Sequence, residues 1–189
     1  MVISKQEWKE AQEAEKGFHN YDMAEGLRLY GYSYSNHFKY LDIPEDLGGK
    51  TIIEIGCAGF PALYFRKNYK GIVVEPLDIE TLETICKEKG IERIKSPVEE
   101  IDLPECDEIW LFNVMQHIID PELFVAKCKA AAKLIRYFEP VDYPTCIYHP
   151  HTFSVDDFKR WFGEPKIYED FVPHFHDAKC VYGNYNVSR

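Results

Sequence analysis

The feature that most constrains this chain is the segment TIIEIGCAGF from Thr51 to Phe60, followed by GIVVE from Gly71 to Glu75. An apolar run ending in a glycine turn, then a second apolar run ending on a carboxylate, reads as the opening β-turn-α-β unit of a parallel sheet. Such a unit leaves backbone N–H groups exposed at the carboxyl edge of the sheet, with an acid placed for a ribose diol. A nucleoside-containing ligand fits that chemistry. A dinucleotide turn needs glycines at G-x-G-x-x-G, but counting from Gly56 the chain supplies Gly56, Ala58 and Pro61. Pro61 has no N–H and a fixed φ, so a nicotinamide-dinucleotide oxidoreductase is the last choice. Glu54 ends the first strand, where a carboxylate suits an ammonium better than a pyrophosphate.

The run Glu54, Gly56, Ala58, Phe60 resembles motif I of the class I S-adenosylmethionine-dependent methyltransferases, an acid-x-Gly-x-Gly-x-Gly sequence. Ala58 and Phe60 stand where that motif has its second and third glycines, and Gly59 lies between them. The resemblance implies an α/β fold, a Rossmann-like seven-stranded sheet of order 3-2-1-4-5-7-6 with strand 7 antiparallel and helices on both faces. It covers about residues 45–189. It implies S-adenosylmethionine as cofactor, held by Glu54, Gly56, Cys57, Ala58, Glu75, Pro76, Val98, Glu99 and Asn113. Glu54 would reach the methionine ammonium through water or the turn backbone, Glu75 the ribose hydroxyls, and Val98 and Glu99 the adenine. The QHIIDP run from Gln116 to Pro121 resembles the family's wall between cofactor and acceptor.

With 189 residues, 46% of them hydrophobic, the expectation is one domain, with residues 1–44 as a helical cap and 45–189 as the α/β core. The six cysteines show no CxxC pair, and the start lacks a signal pattern, so a reduced, cytoplasmic protein is expected, without a membrane span. A net charge of −10 without a basic stripe disfavours a nucleic-acid partner. A small-molecule acceptor is favoured over RNA, and the tyrosine-rich surface leaves a homodimer open.

Periodicity and caps predict helices over 4–17, 61–69, 78–89, 121–133 and 155–162, and strands over 91–94, 108–113, 134–139, 166–172 and 178–185, with residues 43–50 as a linker. The aromatic stretch from Leu27 to Tyr40 either floors a site or pins the cap. For acid-base work the candidates are His117, His149 and His151, each able to take a proton from an acceptor hydroxyl or amine. Two His-x-His pairs, His149 with His151 and His174 with His176, could ligate a metal together with Glu139 or Cys180, but no metal is assigned. A second reading stays open: a methyltransferase fold that only binds a cofactor or a partner.

Overall fold

The computed structural model describes residues 2–17, 19, 22–168 and 179–188. Among these, seven strands form one sheet: β1 (Asp46–Ile55), β2 (Lys67–Val74), β3 (Glu92–Ile94), β4 (Cys106–Phe112), β5 (Ala132–Pro140), β6 (Lys166–Tyr168) and β7 (Cys180–Asn186). Their order is β3-β2-β1-β4-β5-β7-β6. β7 runs antiparallel to both β5 and β6, and the other pairings are parallel. Five helices accompany the sheet: α1 (Lys5–Lys16), α2 (Met23–Tyr40), α3 (Glu80–Lys89), α4 (Pro121–Ala131) and α5 (Val155–Phe162).

The period-2 alternation of the strands divides the core into two layers. Ile53, Ile55, Ile109, Leu111 and Ile135 point to one face, where Phe124 and Cys128 of α4 and Phe158 and Trp161 of α5 cover them. Ile52, Val73, Trp110, Phe112 and Phe138 point to the other, beneath Tyr34 and Phe38 of α2 and Leu82 of α3. Helix ends follow local chemistry. Ser4 and Ser154 form capping boxes with Glu7 and Asp157, Asp120 accepts from Leu123 N–H ahead of Pro121, and Gly90 closes α3 at φ +65°.

Two segments depart from expectation. Residues 61–69 form no α-helix: a single 3₁₀ turn, Ala62–Phe65, leads straight into β2. Only residues 56–66 therefore connect two parallel strands, just under the dozen that such crossovers ordinarily need. The face that an ordinary crossover helix would cover is instead closed by α2, whose Tyr34 hydroxyl donates to the Phe60 carbonyl at 2.8 Å. The aromatic residues of α2 thus stand in for a missing helix. The supposed linker is also partly strand, since β1 begins at Asp46 and is irregular between Asp46 and Lys50, where Gly48 and Gly49 have φ of +66° and +78°. The expected strand over 166–172 is described as far as Tyr168, and residues 169–178, including His174 and His176, lie outside the described residues.

Candidate cofactor and acceptor site

The carboxyl ends of β1, β2 and β4 open into a cavity of about 500 Å³, a size that suits a small-molecule site. Three loop residues at its edge sit in the left-handed region: Gly56 (φ +67°), Ala58 (φ +49°) and Asn113 (φ +60°). Glycine is required at the first. A Cβ built on Gly56 would lie 2.2 Å from Val114 Cγ2, so the turn after β1 and the turn after β4 approach closer than any side chain permits. Ala58 keeps the loop shape expected of a glycine there, at a strain cost of about 1–2 kcal/mol. Phe60 has left the loop altogether; its ring is 1% exposed and packs against Tyr30, Tyr64 and Phe65.

Buried carboxylates at strand ends hold these turns. Glu54 accepts from Ala62 N–H at 2.7 Å and Leu63 N–H at 3.0 Å, tying down the start of the 3₁₀ turn. Glu75 accepts from Ala58 N–H at 2.8 Å and Leu77 N–H at 3.0 Å, so it clamps the loop after β1 to the end of β2. Glu139, at the end of β5, accepts from Val114 N–H at 3.0 Å and Met115 N–H at 3.2 Å. Burial pushes Glu54 and Glu75 up to about 7 and Glu139 to about 8, against the opposing pull of those N–H groups. Sequence placed Glu139 among ligand-facing groups; the structure makes it a backbone clamp away from the cavity wall.

These shifts set a pH dependence for the ligand-free protein. Each carboxyl binds its proton more tightly in the folded chain than at its ordinary 4.5, so stability from this source is complete below pH 4.5. It is lost as pH rises through 7 to 8. His117 acts in the opposite direction, because burial lowers it from 6.5 to about 4, but its contribution is complete once pH exceeds 6.5. The expected result is a melting temperature that falls steadily from about pH 6.5 to about pH 8.5 at fixed ionic strength. A flat or rising profile would show that these carboxyls are not buried as described.

Of the residues expected to bind a cofactor, Gly56, Cys57, Ala58, Glu75, Pro76, Val98, Glu99 and Asn113 line the cavity. Glu54 is not on the cavity wall; both of its oxygens are taken by the backbone of 62 and 63. Among the histidines, His117 and His149 face the cavity with ring centroids 4.8 Å apart. His151 does not. It is 3% exposed and its Nε2 meets the Ile118 carbonyl at 2.6 Å, which makes it a brace for the loop after β4.

The N-terminal segment also lines the cavity, and through Tyr30 and Tyr34 the aromatic stretch 27–40 contributes to it, one of the two roles expected of that stretch. Trp8, Gln12, Glu15, His19, Tyr30 and Tyr34 all line the cavity. Trp8 Nε1 donates to the His117 carbonyl at 3.0 Å, docking α1 on the 3₁₀ turn Met115–His117. An isolated Trp in an amphipathic helix carries no sign of such a partner. Glu99, from the turn after β3, accepts from Ile119 N–H at 2.8 Å and so joins the two loops that flank the cavity end.

The residues present fit an adenosyl cofactor. Each Glu75 oxygen accepts from one backbone N–H and retains a lone pair for a ribose hydroxyl, and the turn from Gly56 to Ala58 carries only small side chains.

No family model matches the chain, and no curated protein matches it in sequence. Solved structures do. The N-methyltransferase NodS from Bradyrhizobium japonicum WM9, in complex with S-adenosyl-L-homocysteine, superposes with a TM-score of 0.70 at 11% identity, over 95% of this chain and 99% of that one. The 1,6-didemethyltoxoflavin-N1-methyltransferase of Burkholderia thailandensis gives 0.68 at 10% identity, over 100% and 92%. The [4+2]-cyclase SpnF gives 0.50 at 10% identity over 60% of this chain, which spans about half (46%) of the SpnF chain. Strand order, the antiparallel β7 and these superpositions agree: the chain has the fold of the class I S-adenosylmethionine-dependent methyltransferases.

Proposed function

We propose that this protein is an S-adenosylmethionine-dependent methyltransferase that moves a methyl group to an oxygen or nitrogen of a small or medium-sized acceptor. The observation that carries the reading is that the Gly56–Ala58 turn, Glu75, His117 and His149 line one cavity, whose cofactor half we assign to the first two and whose acceptor half to the histidines. The cofactor supplies a methyl group already activated on a sulfonium, so the chain's task is alignment and acceptor handling. Glu75 would accept from the ribose hydroxyls, Val98 and Glu99 would border the adenine, and Asn113 lines the same cavity. His117 and His149 orient the acceptor and are the candidates to receive its proton. Burial holds His117 at about 4, so it is neutral near pH 7 and a weaker base than a free imidazole.

One neighbour supports a small acceptor at the level of analogy, because the Burkholderia thailandensis enzyme has 1,6-didemethyltoxoflavin bound. Helices α1 and α2 then form the cap over the acceptor half, within one domain spanning 1–189. No helix among the described residues is long and apolar enough to cross a membrane. We take the protein to act in the cytoplasm, where its six cysteines, none of them in a disulfide, would stay reduced. Incubation with methyl-labelled donor and a panel of phenols, hydroxy acids, sugars and heterocyclic amines tests the proposal. Label in at least one small acceptor is expected; turnover only on RNA or protein would contradict it.

A further inference from the structure

Three ligand-type side chains converge on the acceptor half from three separate elements. Glu15 comes from the last turn of α1, His117 from the 3₁₀ turn after β4, and His149 from the loop after β5. One ligand atom from each lies within 4.8 Å of the other two. All three line the cavity. His117 Nδ1 is buried with no partner that meets hydrogen-bond geometry among the described residues. Glu15 is held in place from behind: its Oε1 lies 2.7 Å from His19 Nε2, and His19 Nδ1 lies 3.1 Å from the Tyr30 hydroxyl. Metal-ligating carboxylates are commonly steadied in this way.

We propose that Glu15, His117 and His149 form a site for one divalent transition-metal ion of the zinc class, on the acceptor side of the cavity. Two imidazoles and one carboxylate are a donor set that such ions accept, and three protein ligands leave at least one position open. Around an ion with bonds of about 2.1 Å, tetrahedral neighbours stand about 3.4 Å apart, so the observed 4.8 Å spread must close by roughly 1.4 Å. The closing falls to the side chains of Glu15 and His149. Glu15 sits at a helix end and His149 on a loop, neither within the sheet. Of the groups weighed from sequence, His149 is in this set, while its partner His151 is committed to the Ile118 carbonyl and Glu139 to the backbone of 114 and 115; His174 and His176 lie outside the described residues.

The open position faces the cavity, and an acceptor bearing an oxygen donor would occupy it. This part rests on the methyltransferase reading. A hydroxyl or carboxyl oxygen bound there would be oriented toward the cofactor half and made more acidic by the ion, which would take over from the two imidazoles the activation of the acceptor. The acceptor class is thus an oxygen-rich small molecule, a vicinal diol, phenol or hydroxy acid, in preference to a simple amine.

Metal-stripped protein titrated with Co²⁺, followed by calorimetry and by visible ligand-field absorption, tests the site. One ion per chain is expected, with affinity falling more than about tenfold in Glu15→Gln, His117→Ala and His149→Ala. His149→Ala, a loop substitution, guards against a loss caused by misfolding, and S-adenosyl-L-homocysteine titration of each variant reports separately on the cofactor half. Absent Co²⁺ uptake, or uptake equal in all three variants, overturns the proposal. Homocysteine-nucleoside binding without Co²⁺ uptake overturns the metal site alone. Co²⁺ uptake without nucleoside binding supports the metal site and overturns the cofactor reading.

Discussion

Gly56→Ala is expected to destabilise the protein by about 3 kcal/mol and to abolish measurable cofactor binding. Two costs add. A left-handed conformation costs an L-residue about 1–2 kcal/mol, and forcing a methyl group into an occupied volume costs about 1–3 kcal/mol more. The methyl would sit 2.2 Å from Val114 Cγ2 and 2.9 Å from Val114 Cβ. Val114 cannot yield freely, because its N–H is held by Glu139 and it begins the turn that carries His117. For a chain of this size the loss corresponds to a fall in melting temperature of roughly 10 °C. A melting temperature within about 1 °C of the parent would show that the two turns do not meet as described.

Glu75→Ala is expected to weaken S-adenosyl-L-homocysteine by more than about tenfold, each hydrogen bond to a charged group contributing about 1.5–3 kcal/mol. The substitution removes the ribose acceptor. It also leaves the N–H groups of Ala58 and Leu77 without the oxygens that now take them, so the loop after β1 loses its tether to β2. Glu75→Gln separates the two effects, since the amide retains one acceptor oxygen while presenting a donor toward the second backbone N–H. An intermediate affinity is expected for it. Unchanged affinity of the alanine variant in a calorimetric titration would remove Glu75 from the site.

Much of the fold is legible in the chain because its signals are local. The glycine turn at 56, the Asp120 and Pro121 pair and the Ser154 box each act over a few residues, and the helices that the latter two open start where expected. The crossover helix over 61–69 was not legible. Its residues have helical composition, but Glu54 fixes the N–H groups of Ala62 and Leu63 in a 3₁₀ turn, and β1 recruits 67–74 into the sheet. Only the long-range packing of α2 on that face makes so short a connection stable. The part of the cavity lining at the ends of β1 and β2 was legible for a related reason, as Gly56, Ala58 and Glu75 lie in one β-turn-β unit. The surroundings of His117 and His149 were not. Trp8, Glu15 and His19 meet His117 and His149 only through the docking of α1 on the turn after β4, a contact without a sequence period or motif.

The most direct test of the central claim is calorimetric titration of the purified protein with S-adenosyl-L-homocysteine, with NAD as the control ligand. One site per chain, bound at micromolar or tighter affinity and closed to NAD, is the expected result; no heat with S-adenosyl-L-homocysteine, or binding of NAD in its place, would contradict the account.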